Sequence, residues 1–120
     1  MSSVFNWGGT WLLVASLSGC ASSGAGLGGA PPLYQRMSDG DVELADATVQ
    51  FALDSTPSRQ QSRWHNPLSG NEGMVTPLRS FKTEGGIFCR HYSELIRVDS
   101  EQERYEDTAC RAEDGVWYPL

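Results

Sequence analysis

Two cysteines, Cys89 and Cys110, limit what the C-terminal half of this 120-residue chain can fold into. Their midpoint falls between Asp99 and Ser100, a polar pair of the kind that forms tight turns. If that pair is the loop of a β-hairpin, the cysteines face each other in a non-hydrogen-bonded pair, where the Cα atoms of antiparallel strands are closest. A disulfide fits that separation. The spacing therefore predicts a hairpin closed by a Cys89–Cys110 bond.

The third cysteine, Cys20, follows a segment of a different kind. Residues 1–19 contain no charged side chain, and an apolar run precedes the cysteine. The four residues from Leu17 to Cys20 resemble the lipobox of bacterial lipoproteins. That resemblance implies that residues 1–19 are a signal peptide and that Cys20 carries a lipid, which leaves the other two cysteines to pair in an oxidising compartment. Three free thiols in a cytosolic protein are the alternative.

The start of the signal segment fits this interpretation less well than the residues that follow Cys20. Its first residues carry no Lys or Arg, although a secretion signal normally starts with positive charge. Either the signal is a weak one or the natural start lies upstream of Met1. After Cys20 the chain is rich in Gly, Ser, Ala and Pro, which favours a flexible tether over residues 20–38. The folded domain is then predicted to span residues 39–120.

One helix is predicted at the start of that domain, over about residues 41–54. Ser38, Asp39 and Asp41 offer capping oxygens and early negative charge, and the helix should end before Pro57. Its apolar residues recur at spacings of three and four: Val42, Ala45, Val49, Ala52 and Leu53. A helix of this length needs a packing partner.

From residue 58 onward the pattern changes to short runs rich in β-branched and aromatic residues, separated by turn signals. In run 87–98 the apolar residues fall on both faces, which indicates a sheet covered partly on both sides or a bulge. Together with the helix, the runs predict an α+β fold: one N-terminal helix packed on a small antiparallel β-meander with one disulfide. The predicted strands lie near 60–65, 74–82, 87–98 and 101–112, with a short strand or tail at 116–118.

Several segments resemble the signature of one protein family. Residues 64–77 resemble W-x-N-P-x-[ST]-G-x-x-G-x-V-x-P, residues 89–92 resemble C-R-x-[YF], and residues 108–117 resemble T-A-C-R followed by D-G-x-W. These blocks, in order over most of the chain after Val42, are similar to the rickettsial 17 kDa surface antigen family. The resemblance implies an outer-membrane lipoprotein with a small C-terminal β-rich domain and two paired cysteines.

The sequence gives no sign of catalytic chemistry. A net charge of −6 argues against nucleic acid and against a polybasic membrane patch. His65 and His91 lack partners at the spacing of a zinc site, and no G-x-S-x-G motif is present. We therefore expect no catalytic residue, metal, cofactor or small-molecule substrate. The aromatic residues Tyr92, Tyr105 and Trp117 are interpreted as core, with a sugar- or peptide-stacking patch as the alternative.

These observations favour a non-enzymatic structural or interaction protein of the outer membrane or surface. Its expected partners are the membrane, through the lipid on Cys20, and an envelope protein or peptidoglycan. The alternative is a lipid-anchored periplasmic inhibitor of a cell-wall hydrolase, which predicts a protruding loop. An enzyme would instead show a pocket around His65 or His91. Glycines 70, 73 and 115 are expected to serve turns with positive φ. The candidate interaction loop contains Asn66, Pro67, Ser69, Gly70 and Gly73.

Overall fold

The computed structural model describes residues 32–120. A short 3₁₀ turn leads into one helix, and five strands follow. Within the described residues, no helix is both long and apolar enough to cross a membrane. The elements are the 3₁₀ turn (Pro32–Arg36), α1 (Asp39–Ser55), β1 (Ser62–His65), β2 (Glu72–Lys82), β3 (Phe88–Val98), β4 (Glu101–Arg111) and β5 (Trp117–Pro119).

Helix α1 begins at a capping box, two residues before its predicted start. The hydroxyl of Ser38 accepts a hydrogen bond from the backbone N–H of Asp41 at 3.2 Å. The carboxylate of Asp41 accepts one from the backbone N–H of Ser38 at 2.9 Å. This reciprocal pair satisfies two of the donors that every helix leaves free at its N-terminus. The helix ends at Thr56, which takes an extended conformation before Pro57 as predicted.

The five strands form one antiparallel sheet in the order β1-β2-β3-β4-β5, so every strand pairs with its neighbour in sequence. The α+β meander predicted from the sequence is confirmed. Val98 pairs with Glu101 around the two-residue turn, and Cys89 pairs with Cys110. The two cysteines form a disulfide, with a Cα–Cα distance of 4.0 Å, and the predicted pairing is therefore confirmed.

A bulge does occur, but it lies in β2 rather than in β3. The register between β2 and β3 shifts between Pro77 and Arg79. In β3 the residues from Tyr92 to Val98 alternate between buried and more exposed, and the buried ones face the helix. The bulge adds one residue to β2, so the strand residues after it pair with β3 one position out of step with those before it. Phe81 therefore pairs with Cys89. Phe81 and Cys89 thus lie side by side on the face away from the helix, where Cys89 is buried.

Helix α1 is fastened to the helix-facing side of the sheet by apolar packing and by two polar side chains. Gln50 donates to the carbonyl of Trp117 at 2.7 Å and accepts from its N–H at 2.8 Å. The guanidinium of Arg90 donates to the carbonyls of Leu53 and Thr56, both at 2.9 Å. It thereby satisfies acceptors that the helix leaves free at its C-terminus. The shared core comprises Ala52, Leu53, Val75, Tyr92, Ala109 and Trp117.

The ordered contacts begin before the predicted domain boundary at residue 39. In the 3₁₀ turn, Leu33 is buried against Ile96 and Val98. The neighbouring Arg36 pairs with Asp99 at 2.9 Å and with Glu101 at 2.6 Å. The 3₁₀ turn is therefore packed on the sheet, with partners on β3, on the β3–β4 turn and on β4. Residues 1–31, including Cys20, lie outside the described residues.

The disulfide should account for a large part of the stability of this small domain. Replacing both cysteines (Cys89→Ser with Cys110→Ser) should lower the free energy of unfolding by about 3 kcal/mol, because the closed loop of about 20 residues no longer restricts the unfolded chain. Urea denaturation under oxidising conditions measures the change. An unchanged midpoint for the double variant would contradict the expectation.

Candidate functional site

The predicted interaction loop connects β1 to β2 and is folded tightly on itself. The backbone N–H of Gly70 donates to the carbonyl of Asn66 at 2.7 Å, and the N–H of Asn66 donates to the carbonyl of Asn71 at 2.9 Å. The side-chain oxygen of Asn66 accepts from the N–H of Leu68 at 3.1 Å. Gly70 has a φ of +77°, which confirms the positive φ predicted for it. These bonds fix the loop in one conformation.

The carboxylate of Asp41 anchors this loop to the start of helix α1. Its Oδ1 accepts from Asn66 Nδ2 at 2.8 Å and from Ser69 Oγ at 2.6 Å, and its Oδ2 accepts from Asn71 Nδ2 at 2.7 Å. Asp41 is fully buried. Burial by itself raises the pKa of a carboxyl group, but the hydrogen bonds that Asp41 accepts outweigh it and hold its pKa well below the usual range. Asp41 therefore stays ionised.

The same network reaches a second turn. The side-chain oxygen of Asn71 accepts a hydrogen bond at 3.2 Å from the backbone N–H of Asp99, which lies in the turn between β3 and β4. Asp99 has a φ of +57°, an uncommon conformation that Asn and Asp adopt more readily than other side chains. One buried carboxylate thus connects the helix start, the β1–β2 loop and the β3–β4 turn.

What the loop offers to a partner is mainly apolar. The polar side chains of Asn66, Ser69 and Asn71 are engaged with Asp41. Leu68 at the tip is 96% exposed, on a backbone that the hydrogen bonds hold rigid. The arrangement suits a shape-specific contact with an apolar cavity of a partner better than hydrogen-bonded recognition.

Gly73 was predicted as part of the loop with a positive φ, and this prediction is wrong. It lies in strand β2, paired with Trp64. Its φ is not in the positive region, unlike those of Gly70 and Gly115. A Cβ atom on Gly73 would overlap the indole nitrogen of Trp64 and lie 2.8 Å from the carbonyl oxygen of Leu95. Glycine is required there because the indole packs directly on the strand backbone.

The two histidines lie at separate places on the face of the sheet that points away from helix α1. A ring nitrogen of His91 forms a hydrogen bond with the hydroxyl of Thr108, and its ring lies 5.2 Å from that of Phe81. His65 is exposed in β1 beside a depression of about 350 Å³. There, Glu72 is already paired with Arg97 at 3.0 Å. Within residues 32–120, no three His, Cys, Asp or Glu side chains are arranged to hold a metal ion.

Sequence reasoning placed Asp41 at the helix start but missed its contact with the loop. The partners lie 25 to 30 positions away, and Asn and Ser in a turn are expected for local reasons alone. An acidic N3 residue after a Ser N-cap was the available signal, because it shows that the carboxylate turns back toward the preceding backbone.

Removing the charge of Asp41 should destabilise the domain strongly. Asp41→Asn should lower the free energy of unfolding at pH 7 by about 2–4 kcal/mol, because an amide cannot accept from all four donors and leaves buried groups unpaired. Asp39→Asn is the matched control, since Asp39 is an exposed carboxylate in the same helical turn. This control should lower the free energy of unfolding by less than about 1 kcal/mol.

The same pair of variants predicts a pH dependence. Because the pKa of Asp41 is lowered in the folded state, its contribution is present above the unfolded pKa of about 3.9 and is lost as the pH falls toward the folded pKa. Urea denaturation should show a constant difference between wild type and Asp41→Asn from pH 5 to 8, and a shrinking one below about pH 4. A difference that stays constant down to pH 2 would contradict this account.

Comparison with known proteins places this fold in a family. Residues 51–118 match the family described as "17 kDa outer membrane surface antigen". The chain is 41% identical over 81 residues to the 17 kDa surface antigen of Rickettsia bellii (strain RML369-C), which covers 68% of this chain and 51% of the relative. It is 38% identical over 77 residues to the antigen of Rickettsia prowazekii (strain Madrid E), covering 64% and 48%.

The antigen of Rickettsia felis (strain ATCC VR-1525 / URRWXCal2) is 38% identical over 81 residues, with 68% of this chain and 51% of the relative covered. No solved structure matches the chain. The chain spans about half the length of these curated relatives. The family match covers more than half of the chain, including β1 to β5 and the disulfide. The chain therefore belongs to the 17 kDa outer membrane surface antigen family.

Proposed function

We propose that this chain is an outer-membrane lipoprotein, attached by a lipid on Cys20, whose domain acts as a non-enzymatic interaction protein of the cell envelope or surface. Membership of a surface antigen family supports a surface protein. The lipobox-like segment ending at Cys20 supports the lipid anchor. More than one acyl chain would give stable attachment where a single chain is marginal.

The observation that carries the interaction role is the rigid presentation of Leu68. An apolar side chain that is 96% exposed gains free energy when a partner buries it. The loop around it is fixed by its own hydrogen bonds and by Asp41, so binding costs little conformational entropy. We propose that the loop inserts Leu68 into a complementary apolar cavity of an envelope protein.

The same loop supports a second candidate, a lipid-anchored inhibitor of a cell-wall hydrolase. Such an inhibitor requires a firm protrusion that enters an active-site cleft, and the β1–β2 loop has that character. Assaying the purified chain against a panel of lysozymes distinguishes this candidate. Absence of inhibition at micromolar concentration would exclude it for the enzymes tested.

The anchor is tested by intact mass spectrometry of the chain expressed with its own N-terminal segment in a Gram-negative bacterium. We expect a mature protein that starts at Cys20 and carries the mass of the attached lipid. The Cys20→Ser variant should accumulate unprocessed and without lipid, because the thiol that receives the lipid is missing. An unprocessed wild-type chain starting at Met1 would refute the anchor.

The loop contact is tested by placing a photo-crosslinking amino acid at position 68 in intact cells. Position 51 is the matched control, because Phe51 is also an exposed apolar residue, 62% exposed on helix α1. We expect a defined adduct from position 68 only. An adduct that survives muramidase treatment indicates a protein partner, whereas loss of the adduct on that treatment indicates peptidoglycan. Equal labelling from both positions, or none from position 68, would refute the contact.

A further inference from the structure

A cleft remains open on the helix-facing side of the sheet. Helix α1 packs mainly over β1 and β2. The other half of the same face, formed by β3 to β5, is covered less completely. A cavity of about 340 Å³ lies there, between α1 and the strands, with Tyr34 of the 3₁₀ turn as one of its lining residues. A volume of this size exceeds that of a single water molecule, about 30 Å³, roughly tenfold.

The unusual residue of this cleft is Glu94. It projects from β3 toward the helix, and only 1% of it is exposed. Its Oε1 accepts a hydrogen bond from the hydroxyl of Tyr105, whereas its Oε2 has no hydrogen-bond partner among the described residues. A buried carboxylate without a compensating partner is costly, so its presence beside a cleft points to a ligand that supplies one.

The cleft also lacks a positive charge. Asp46 from α1 and Asp107 from β4 line it together with Glu94, and no Lys, Arg or His side chain does so among the residues described. Elsewhere in the domain the arrangement is different: Glu72 pairs with Arg97, and Asp54 lies 3.9 Å from Arg111. The three carboxyl groups of the cleft are thus a local excess of negative charge.

The kind of cation follows from the geometry. Within residues 32–120, no three His, Cys, Asp or Glu side chains are close enough together to hold one metal ion, which favours an organic cation over a metal ion as the ligand. Tyr34 and Tyr105 also line the cleft, and aromatic rings attract alkylammonium groups through their electron-rich faces. Tyr92 and Trp117 are 4% and 6% exposed. Both also line the cleft, but little of either side chain is accessible to solvent.

We propose that the cleft between α1 and strands β3–β5 binds a primary alkylammonium group, with the carboxyl group of Glu94 as its counter-charge. The group belongs either to a small free amine or to a lysine side chain. Asp46 and Asp107 add long-range attraction at the two walls. The proposal does not depend on the β1–β2 loop contact, which involves a different part of the domain.

Binding should be coupled to the ionisation of Glu94. Burial raises the pKa of Glu94 to about 7; the hydrogen bond from Tyr105 opposes the shift, and the charges of Asp46 and Asp107 add to it. The other titratable groups lining the cleft are Tyr34 from the 3₁₀ turn, Tyr92 from β3 and Tyr118 from β5. Across β2 its neighbour is the uncharged Val75. An ammonium group favours the ionised form, so affinity should rise with pH.

The test measures binding to the full 120-residue chain purified in detergent, by isothermal titration. The probes are n-butylamine and a short uncharged peptide with one lysine. Their neutral counterparts are 1-butanol and the same peptide with norleucine. At least one ammonium probe should bind ten times or more tightly than its counterpart. Binding of butylamine indicates a small amine, and binding of the peptide alone indicates a protein lysine. Equal binding of each probe and its counterpart would refute the proposal.

Two variants locate the binding. Glu94→Gln keeps the shape of the side chain and the acceptor for Tyr105 but removes the charge. It should lower the affinity for the ammonium probe at least tenfold at pH 8. Glu106→Gln is the matched control, an exposed carboxylate in β4 one residue from Asp107, and should leave affinity unchanged. Wild-type affinity should also rise up to about tenfold from pH 6 to 8, because the ionised fraction of Glu94 rises by that factor. An unchanged affinity in Glu94→Gln would refute the proposal.

Discussion

The carboxylate of Asp41 accepts four hydrogen bonds from two separate parts of the chain, and the arrangement of one end of the domain depends on it. It caps helix α1 through Ser38 and holds the β1–β2 loop through Asn66, Ser69 and Asn71. Through Asn71 the network also reaches the β3–β4 turn. A buried charge is costly unless it is fully hydrogen-bonded. The four donors meet that requirement only when the helix start and the loop are both in place, so the charge also specifies their relative positions.

Glu94 presents the opposite situation in the same small domain. Asp41 accepts four hydrogen bonds and its pKa is lowered, whereas Glu94 accepts one and its pKa is raised to about 7, chiefly by burial. The first carboxylate is stabilised by the fold itself. The second lacks a hydrogen-bond donor for one of its two oxygens among the described residues. Both side chains are shielded from solvent, but Asp41 has four donors around it, whereas Glu94 has one donor and two neighbouring carboxyl groups. The contrast separates a structural carboxylate from one that is available to a ligand.

The elements of the fold were predictable because their signals are local. The helix, the four main strands, the two-residue turn and the disulfide follow from periodicity, turn residues and the symmetric spacing of two cysteines. The hydrogen-bond network of Asp41 was not predictable, because its partners are distant in sequence and each of them is already explained as a turn residue. Gly73 was misassigned for a related reason, since close packing against Trp64 leaves no mark in the sequence. The cleft around Glu94 was not predictable because its carboxylates and tyrosines come from five different elements.

The strands lie in the sheet in the same order as in the chain. This order has a consequence for how the domain folds. Every strand pairs with the one before it, so most contacts join residues that are close in sequence, and such topologies fold faster than those with distant pairings. The hairpin that carries Cys89 and Cys110 has its own two-residue turn. It can therefore align the thiols before the helix docks, and oxidation would then trap a native pairing rather than select one from a disordered chain.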